Sequence, residues 1–308
     1  MPTVTLARNA MATRFELVLA GPNPAALRAA GEEALDEIEA IESRWSLYRP
    51  DSELAHLNAR AAREPVRVSP ELFDFLDHAR RLHAETGGAF DITIAPLVRC
   101  WGFMGASGSL PDPEALAAAR QLVGMQLVSL NPADRTVHFL RNGVMLDPGA
   151  IGKGYAVGRA RDILRDAGVE NALIHGGTST IVAFGRPEND PAWKVAVENP
   201  ADPAKPLALL KLNNQALSVS AVWGKSFSAG GRRFGHVLDP RTGAPAENTV
   251  LAAVAMDSAT ESDALSTALL VLGPAGLDRI TSLRPGMRAL TVTETRGQFR
   301  MDSRGLNL

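Results

Sequence analysis

The chain has 308 residues, of which 45% are hydrophobic, and a formal net charge of −2 with its charged side chains scattered along the length. That size buries a substantial core in one large domain or two closely packed ones, and the near-neutral balance offers no basic field to hold a nucleic acid. Cys100 is the single cysteine, so an internal disulfide is excluded, and no Cys/His set with zinc-type spacing can be drawn.

The N-terminus, Met1 to Ala20, lacks a basic start followed by an apolar run and a small-residue cleavage site. Neither a signal peptide nor a membrane span is expected, which predicts a cytoplasmic protein, or an exported one if an N-terminal segment has been removed. From Thr13 to Ala20 apolar and polar residues alternate, as in a half-buried strand. Leu27, Gly31, Ala34, Ile38, Ile41 and Trp45 then recur at spacings of three or four and share one face of a long amphipathic helix. Ser69 as N-cap, Pro70 at the first helical position and Gly87-Gly88 as the stop predict a second helix, and Asp112-Pro113 opens a third.

Between residues 124 and 147 short apolar runs broken by Asn-Pro, Asp-Arg and Asn-Gly predict a hairpin leading into a strand, Val144-Met145-Leu146, that ends at Asp147. Tyr155 to Asp166 reads as helix, Ala172 to Ile174 as a short strand, and Trp193 to Val254 as a series of strands punctuated by Gly, Pro and Asn. Ser258 caps a helix running to Leu272. With no repeat, low-complexity tract or linker, the expected class is α+β with mixed, largely antiparallel sheets and packed helices, in one domain over residues 1–308 or two interleaved subdomains.

Four segments can carry chemistry. Asp147-Pro-Gly-Ala-Ile-Gly-Lys-Gly-Tyr155 puts an acid, a Gly-rich turn and a helix start together, where backbone N–H groups, the helix dipole and Lys153 suit a phosphate. It is not a Walker A loop, since Gly154 follows the lysine, and its plainer reading is a tight connection with a surface lysine. On the Ser258 helix Asp263 and Thr267 are four apart and share a face, as an oxygen-liking cation such as Mg²⁺ requires; the plainer reading is an exposed polar stripe. Gly235-His-Val-Leu-Asp-Pro-Arg-Thr-Gly243 is a strong turn signature that presents His236 and Arg241 beside a strand, His236 being either a general base or a hydrogen-bonded structural histidine. Thr86-Gly-Gly-Ala-Phe-Asp91 is either a ligand-lining loop or a helix terminator before a strand.

In order and spacing these segments resemble the ApbE family of flavin transferases, the FAD:protein FMN transferases. The resemblance runs from Met11 to about Gly273. It rests on Met-Ala-Thr13, Ser46-Leu-Tyr48 with Asp-Ser-Glu-Leu54 and Leu57-Asn58, Gly-Gly-Ala-Phe-Asp91, the 147–155 segment, Gly-Gly177, His-Val-Leu-Asp-Pro-Arg-Thr-Gly243, and Asp263 with Thr267 before Val-Leu-Gly273. It implies Mg²⁺ held by the Ala150 carbonyl with Asp263 and Thr267, Ser266 standing where some members carry an acid. FAD, as substrate, would contact Met11, Tyr48, Ala89, Phe90, Asp91, Asp147, Lys153 and Val237.

The reaction it implies is displacement at a phosphorus of FAD, which places FMN on a Ser or Thr hydroxyl of an acceptor redox protein and releases AMP. Lys153 would neutralise the pyrophosphate, and His236 is the candidate base. The sequence departs from the family pattern at Ala12, where glycine is usual, at Thr178, and at Val219 and Ala221, which flank Ser220. Those departures motivate a competing reading, a noncatalytic FAD-binding protein; a third is a Mg²⁺-dependent FAD pyrophosphatase, in which water replaces the alcohol at the same site and gives FMN and AMP. No Gly-x-Ser-x-Gly turn, His-Glu-x-x-His or Gly-x-Gly-x-x-Gly after a strand supports a serine hydrolase, a zinc protease or a dehydrogenase. Of the other histidines, His175 beside Gly176-Gly177 is the one placed to matter.

Overall fold

The computed structural model describes residues 1–105, 108–202 and 204–306. The chain opens with β1 (Thr3–Ala10) and β2 (Thr13–Ala20), then α1 (Pro24–Trp45), α2 (Glu53–Arg60), β3 (Val66–Arg67) and α3 (Pro70–Thr86). Next come α4 (Ala95–Cys100), α5 (Pro113–Arg120), the hairpin β4 (Val128–Asn131) and β5 (Thr136–Phe139), α6 (Gly152–Asp166), β6 (Asn171–Gly176) and β7 (Thr180–Phe184). The remainder is β8 (Trp193–Glu198), β9 (Pro206–Leu212), β10 (Gln215–Ala221), β11 (Ser226–Ala229), β12 (Arg232–Gly235), β13 (Thr249–Met256), α7 (Ala259–Leu272), α8 (Leu277–Thr281), β14 (Arg288–Thr295) and β15 (Gln298–Arg304).

Among the described residues the central sheet has eight strands in the order β1-β2-β6-β7-β10-β13-β14-β15, each antiparallel to its neighbours. This is the expected α+β class. Both faces of the sheet are covered, so β13 is buried almost throughout instead of alternating with solvent. Ala252, Val254 and Met256 face the larger core with α1, α6 and α7, whereas Leu251, Ala253 and Ala255 face the β8–β9 hairpin through Trp193, Val195 and Leu210. A third, smaller cluster joins α4 to Trp101, Phe103 and Leu238.

Helix ends follow the residues that announce them. The Ser69 side chain accepts the Leu72 amide and Gly87 closes α3 in the left-handed region, Asp112 accepts the amides of Glu114 and Ala115, and Ser258 accepts that of Glu261. The predicted face of α1 is buried from Leu27 to Trp45, joined by Ala30 and Leu35.

One expected strand does not form. Residues 144–146 carry no regular secondary structure and pair with no strand, because the Asn58 side chain occupies the backbone of Leu146, donating to its carbonyl at 3.0 Å and accepting from its amide at 2.8 Å. The next amide, of Asp147, goes to the Ile92 carbonyl at 2.7 Å. A side-chain amide thus takes the place of a neighbouring strand and leaves the segment free to turn into α6. Among the described residues no helix is long and apolar enough to cross a membrane.

Candidate active site

At the end of the sheet where β2 starts and β10 finishes, a cleft of about 650 Å³ opens, within the range of small-molecule sites. Its boundary is drawn from distant parts of the chain: the β1–β2 turn, Tyr48, the Ala89–Asp91 loop, the start of α6, the β6–β7 turn, the end of β10, residues 236–238, and Asp263 with Thr267 of α7. An apolar recess of about 210 Å³ adjoins it, between Met11, Ile41, Trp45, Leu47 and Tyr48. Met11, Tyr48, Asp147 and Lys153 border both spaces.

The α6–α7 wall is set by a missing methyl group. A Cβ at Gly154 would lie 2.6 Å from the Asp263 Cβ and run into the Ala259 carbonyl, so only glycine admits this approach of the two helices. The Gly154 amide then donates to Asp263 Oδ2 at 2.9 Å, and the Thr180 hydroxyl donates to Oδ1 at 3.1 Å. Asp263 is buried, as are Ser262 and Ser266 beside it, which overturns the reading of an exposed polar stripe. Ser220 Oγ lies 2.8 Å from Ser266 Oγ and 3.1 Å from Thr267 Oγ1, so the serine kept between Val219 and Ala221 ties β10 to α7.

Four amides of the Gly-rich turn are already taken inside the protein. Asp147 Oδ1 accepts the Gly149 amide at 2.8 Å, the Pro148 carbonyl accepts those of Ile151 and Gly152, and Asp263 takes that of Gly154. Two carboxylates already answer the helix N-terminus, leaving Lys153, whose Nζ is 3.4 Å from the Gly149 carbonyl, as the cationic part of this wall. Burial pushes the Asp147 carboxyl above its ordinary range, against the Gly149 hydrogen bond and the charges of Lys153 and Lys225, which pull it down.

On the opposite wall the Asp239-to-Gly243 turn is as tight as its sequence requires. Asp239 accepts from the Arg241 amide and pairs with its guanidinium at 2.8 Å, so Arg241 is spent on the turn. Gly243, at φ 77°, presents its carbonyl to the Trp101 indole N–H at 2.8 Å. His236 keeps both of its sequence-level possibilities: its Nδ1 is bonded to the Lys225 carbonyl at 3.1 Å, while the ring borders the cleft. With Nδ1 as donor, Nε2 is the basic nitrogen. Burial lowers the His236 pKa, the Lys225 hydrogen bond raises it, and the charges of Lys225 and Lys153 lower it further; the net shift is downward.

The remaining expected positions divide by burial. Tyr48 is 67% exposed at the recess mouth and Val237 half-buried, whereas Ala89, Phe90 and Asp91 are buried and border the cleft from within. Asp91 takes the amide and hydroxyl of Thr93 at 2.7 and 2.6 Å and meets His83 Nδ1 at 3.0 Å, which makes it a fixed post of the loop. Met11 and Ala12 both have positive φ, 50° and 57°, in the two-residue turn that closes Ala10 on Thr13. Ala12 thus occupies a conformation that glycine adopts without strain, and the Met11 amide is anchored on Glu42 Oε1 at 2.7 Å. Ala150 also borders the cleft. His175 bonds the Gly177 carbonyl through Nδ1 at 3.2 Å and faces Glu16 at 3.7 Å, away from the groups bordering the cleft. Thr180, which holds Asp263, and Lys225, which borders the cleft, were not announced by the sequence, because both lie in strand or turn segments without a local motif.

Residues 11–291 match the ApbE family. Among curated relatives, an FAD:protein FMN transferase of Klebsiella pneumoniae is 32% identical over 257 residues, 81% of this chain and 72% of that protein. One from Haemophilus influenzae is 32% identical over 263 residues, 80% and 75% respectively. Among solved structures, the ApbE protein of Thermotoga maritima superposes with a TM-score of 0.87 at 28% identity, over 97% of this chain and 96% of that one. The flavinyl transferase ApbE of Pseudomonas stutzeri, in its apo form, gives 0.83 at 28%, over 98% and 94%. With the family match spanning nearly the whole sequence and the fold shared from end to end, the chain belongs to the ApbE family.

Proposed function

We propose that the protein transfers FMN from FAD to a Ser or Thr hydroxyl of an acceptor redox protein, with Mg²⁺ bound, and releases AMP. The observation that carries this reading is the meeting, in one cleft, of the Asp263–Thr267 pair, Lys153 and a His236 whose Nδ1 is already committed. The curated relatives named as FAD:protein FMN transferases support it.

The donors present fit Mg²⁺. Each Asp263 oxygen spends one lone pair on a neighbouring donor and retains another, Thr267 adds a hydroxyl, and Ala150 adds a backbone carbonyl at the same cleft. All are hard oxygen ligands, and an ion that keeps much of its water needs few of them. When bound, the cation would offset charge on the pyrophosphate as the bond between the two phosphates breaks.

The chain's own groups do the rest. Lys153 holds the pyrophosphate by charge, and the 11–12 turn with Tyr48 borders the recess that receives a ring of the dinucleotide. His236 Nε2 removes the proton of the acceptor hydroxyl as its oxygen bonds to the FMN phosphorus. The bond from that phosphorus to the bridging oxygen breaks, and the oxygen leaves with AMP.

The test is incubation of the purified protein with FAD, Mg²⁺ and a threonine-bearing acceptor domain, scored for covalent flavin on the acceptor and for AMP. Covalent flavin dependent on Asp263 is the expected result. FAD bound without AMP in the presence of acceptor would leave the storage reading; AMP at equal rate with and without acceptor would leave the pyrophosphatase.

A further inference from the structure

Lys225 has no part in the reaction just described, yet it borders the same cleft. It follows Gly224 in the connection from β10 to β11, and it is exposed. A Cβ on Gly224 would come within 2.8 Å of the His236 ring, so the bare glycine is what lets this connection lie against the imidazole. There the Lys225 carbonyl accepts from the His236 amide at 3.0 Å as well as from Nδ1. One residue therefore fixes the ring with its backbone and carries a cation to the same end of the cleft with its side chain.

That cation is uncommitted. Among the described residues the lysine ion pairs are those of Lys194 with Asp190 and Lys205 with Asp202, which leaves Lys225, like Lys153, without a carboxylate partner. It lies close to the other charged groups of the cleft, since its charge, like that of Lys153, bears on both His236 and Asp147. A pyrophosphate entering the cleft meets the carboxylates of Asp147 and Asp263, and a dianion beside two acids is repelled unless cations flank it.

We propose that Lys225 is a phosphate-binding residue, its ammonium gripping the FAD pyrophosphate together with Lys153, on the oxygens nearest His236. This deepens the transferase reading and rests on it. It also explains why the group that positions His236 is a lysine: the residue that orients the base brings the phosphate to it.

The test compares the intact protein with Lys225→Met and Lys225→Arg, since neither change alters the carbonyl that holds His236. FAD is titrated calorimetrically at low and high salt, and the His236 ring is followed by NMR against pH. The expected result is FAD affinity about tenfold lower or more in Lys225→Met, with a weaker salt dependence, and recovery to within about threefold in Lys225→Arg. The His236 midpoint should rise in Lys225→Met, a response that loss of a purely structural side chain would not give. Wild-type binding matched by Lys225→Met at both salt concentrations overturns the proposal while leaving the transferase reading standing. Failure of the unaltered protein to bind FAD sinks that reading and this inference with it.

Discussion

On the α6–α7 wall of the cleft the contacts of Asp263 are buried and secured at both oxygens, whereas the β10–β12 wall carries half-buried and exposed groups on a short hairpin. Asp263, only 4% exposed, is held at each oxygen by a donor from a different element. His236 sits at the edge of an aromatic cluster in which Phe227 and Phe234 stack at 5.2 Å, Trp101 meets Phe234 at 5.6 Å, and Phe103 meets the imidazole edge-on at 6.5 Å. Under the proposed function the first wall is the one that would hold the cation, and its buried contacts suit that role. The second would supply the groups that reach substrate and acceptor, and it leaves them accessible.

If the walls differ in this way, substitutions on them should separate stability from activity. Asp263→Ala removes a candidate cation ligand and strands the Gly154 amide and the Thr180 hydroxyl, so flavin transfer should vanish and unfolding should become easier by roughly 2–5 kcal/mol. Parallel flavinylation assays and urea melts check both halves, and a fully stable variant would contradict the buried-wall description. His236→Ala should lower transfer by about 10²–10⁴-fold, with a melting temperature close to that of the parent. Because the working form is the neutral ring and its pKa is depressed, the unaltered enzyme should hold its rate down through the ordinary histidine range and decline only below about pH 6.5. A pH–rate profile that falls above that value would remove His236 as the base.

Gly154→Ala sharpens the contrast from the structural side. The added methyl has no room between the helices, so a loss of about 1–3 kcal/mol should appear in denaturant melts, together with weaker Mg²⁺-dependent FAD binding. The smallest effect is expected at the β1–β2 turn. Ala12→Gly relieves a left-handed residue and should stabilise the protein by up to about 1 kcal/mol, read as a rise in melting temperature.

Much of this construction is legible in the sequence where local chemistry decides it. Ser69-Pro70, Asp112-Pro113 and Ser258 start helices because their side chains satisfy orphan amides a few residues on, and the α1 face is set by its own periodicity. Residues 144–146 mislead, since their apolar run specifies an extended chain but not its partner, and the partner is an asparagine 88 positions away. The turn before α6 misleads for a related reason. Its glycines do expose amides, but Asp147 and Asp263 take two of them, and the second comes from 109 residues downstream. Asp263 and Thr267 share a helix face in the sequence, yet nothing local says whether that face is wet or buried; Ser262 and Ser266 go inside because β7, β10 and α6 pack there. Lys225 is invisible for want of any pattern around it.

The sheet order bears on how the protein is made. β2 pairs with β6, so residues 13–20 wait for residues 171–176 before their second edge is covered, and the cleft draws on positions from Met11 to Thr267. A chain emerging from the ribosome therefore holds Met11, Tyr48 and Lys153 long before Asp263 exists to complete the wall. Assembly of the cleft is therefore a late event in synthesis, because its boundary is complete only once residues 263–267 have been made.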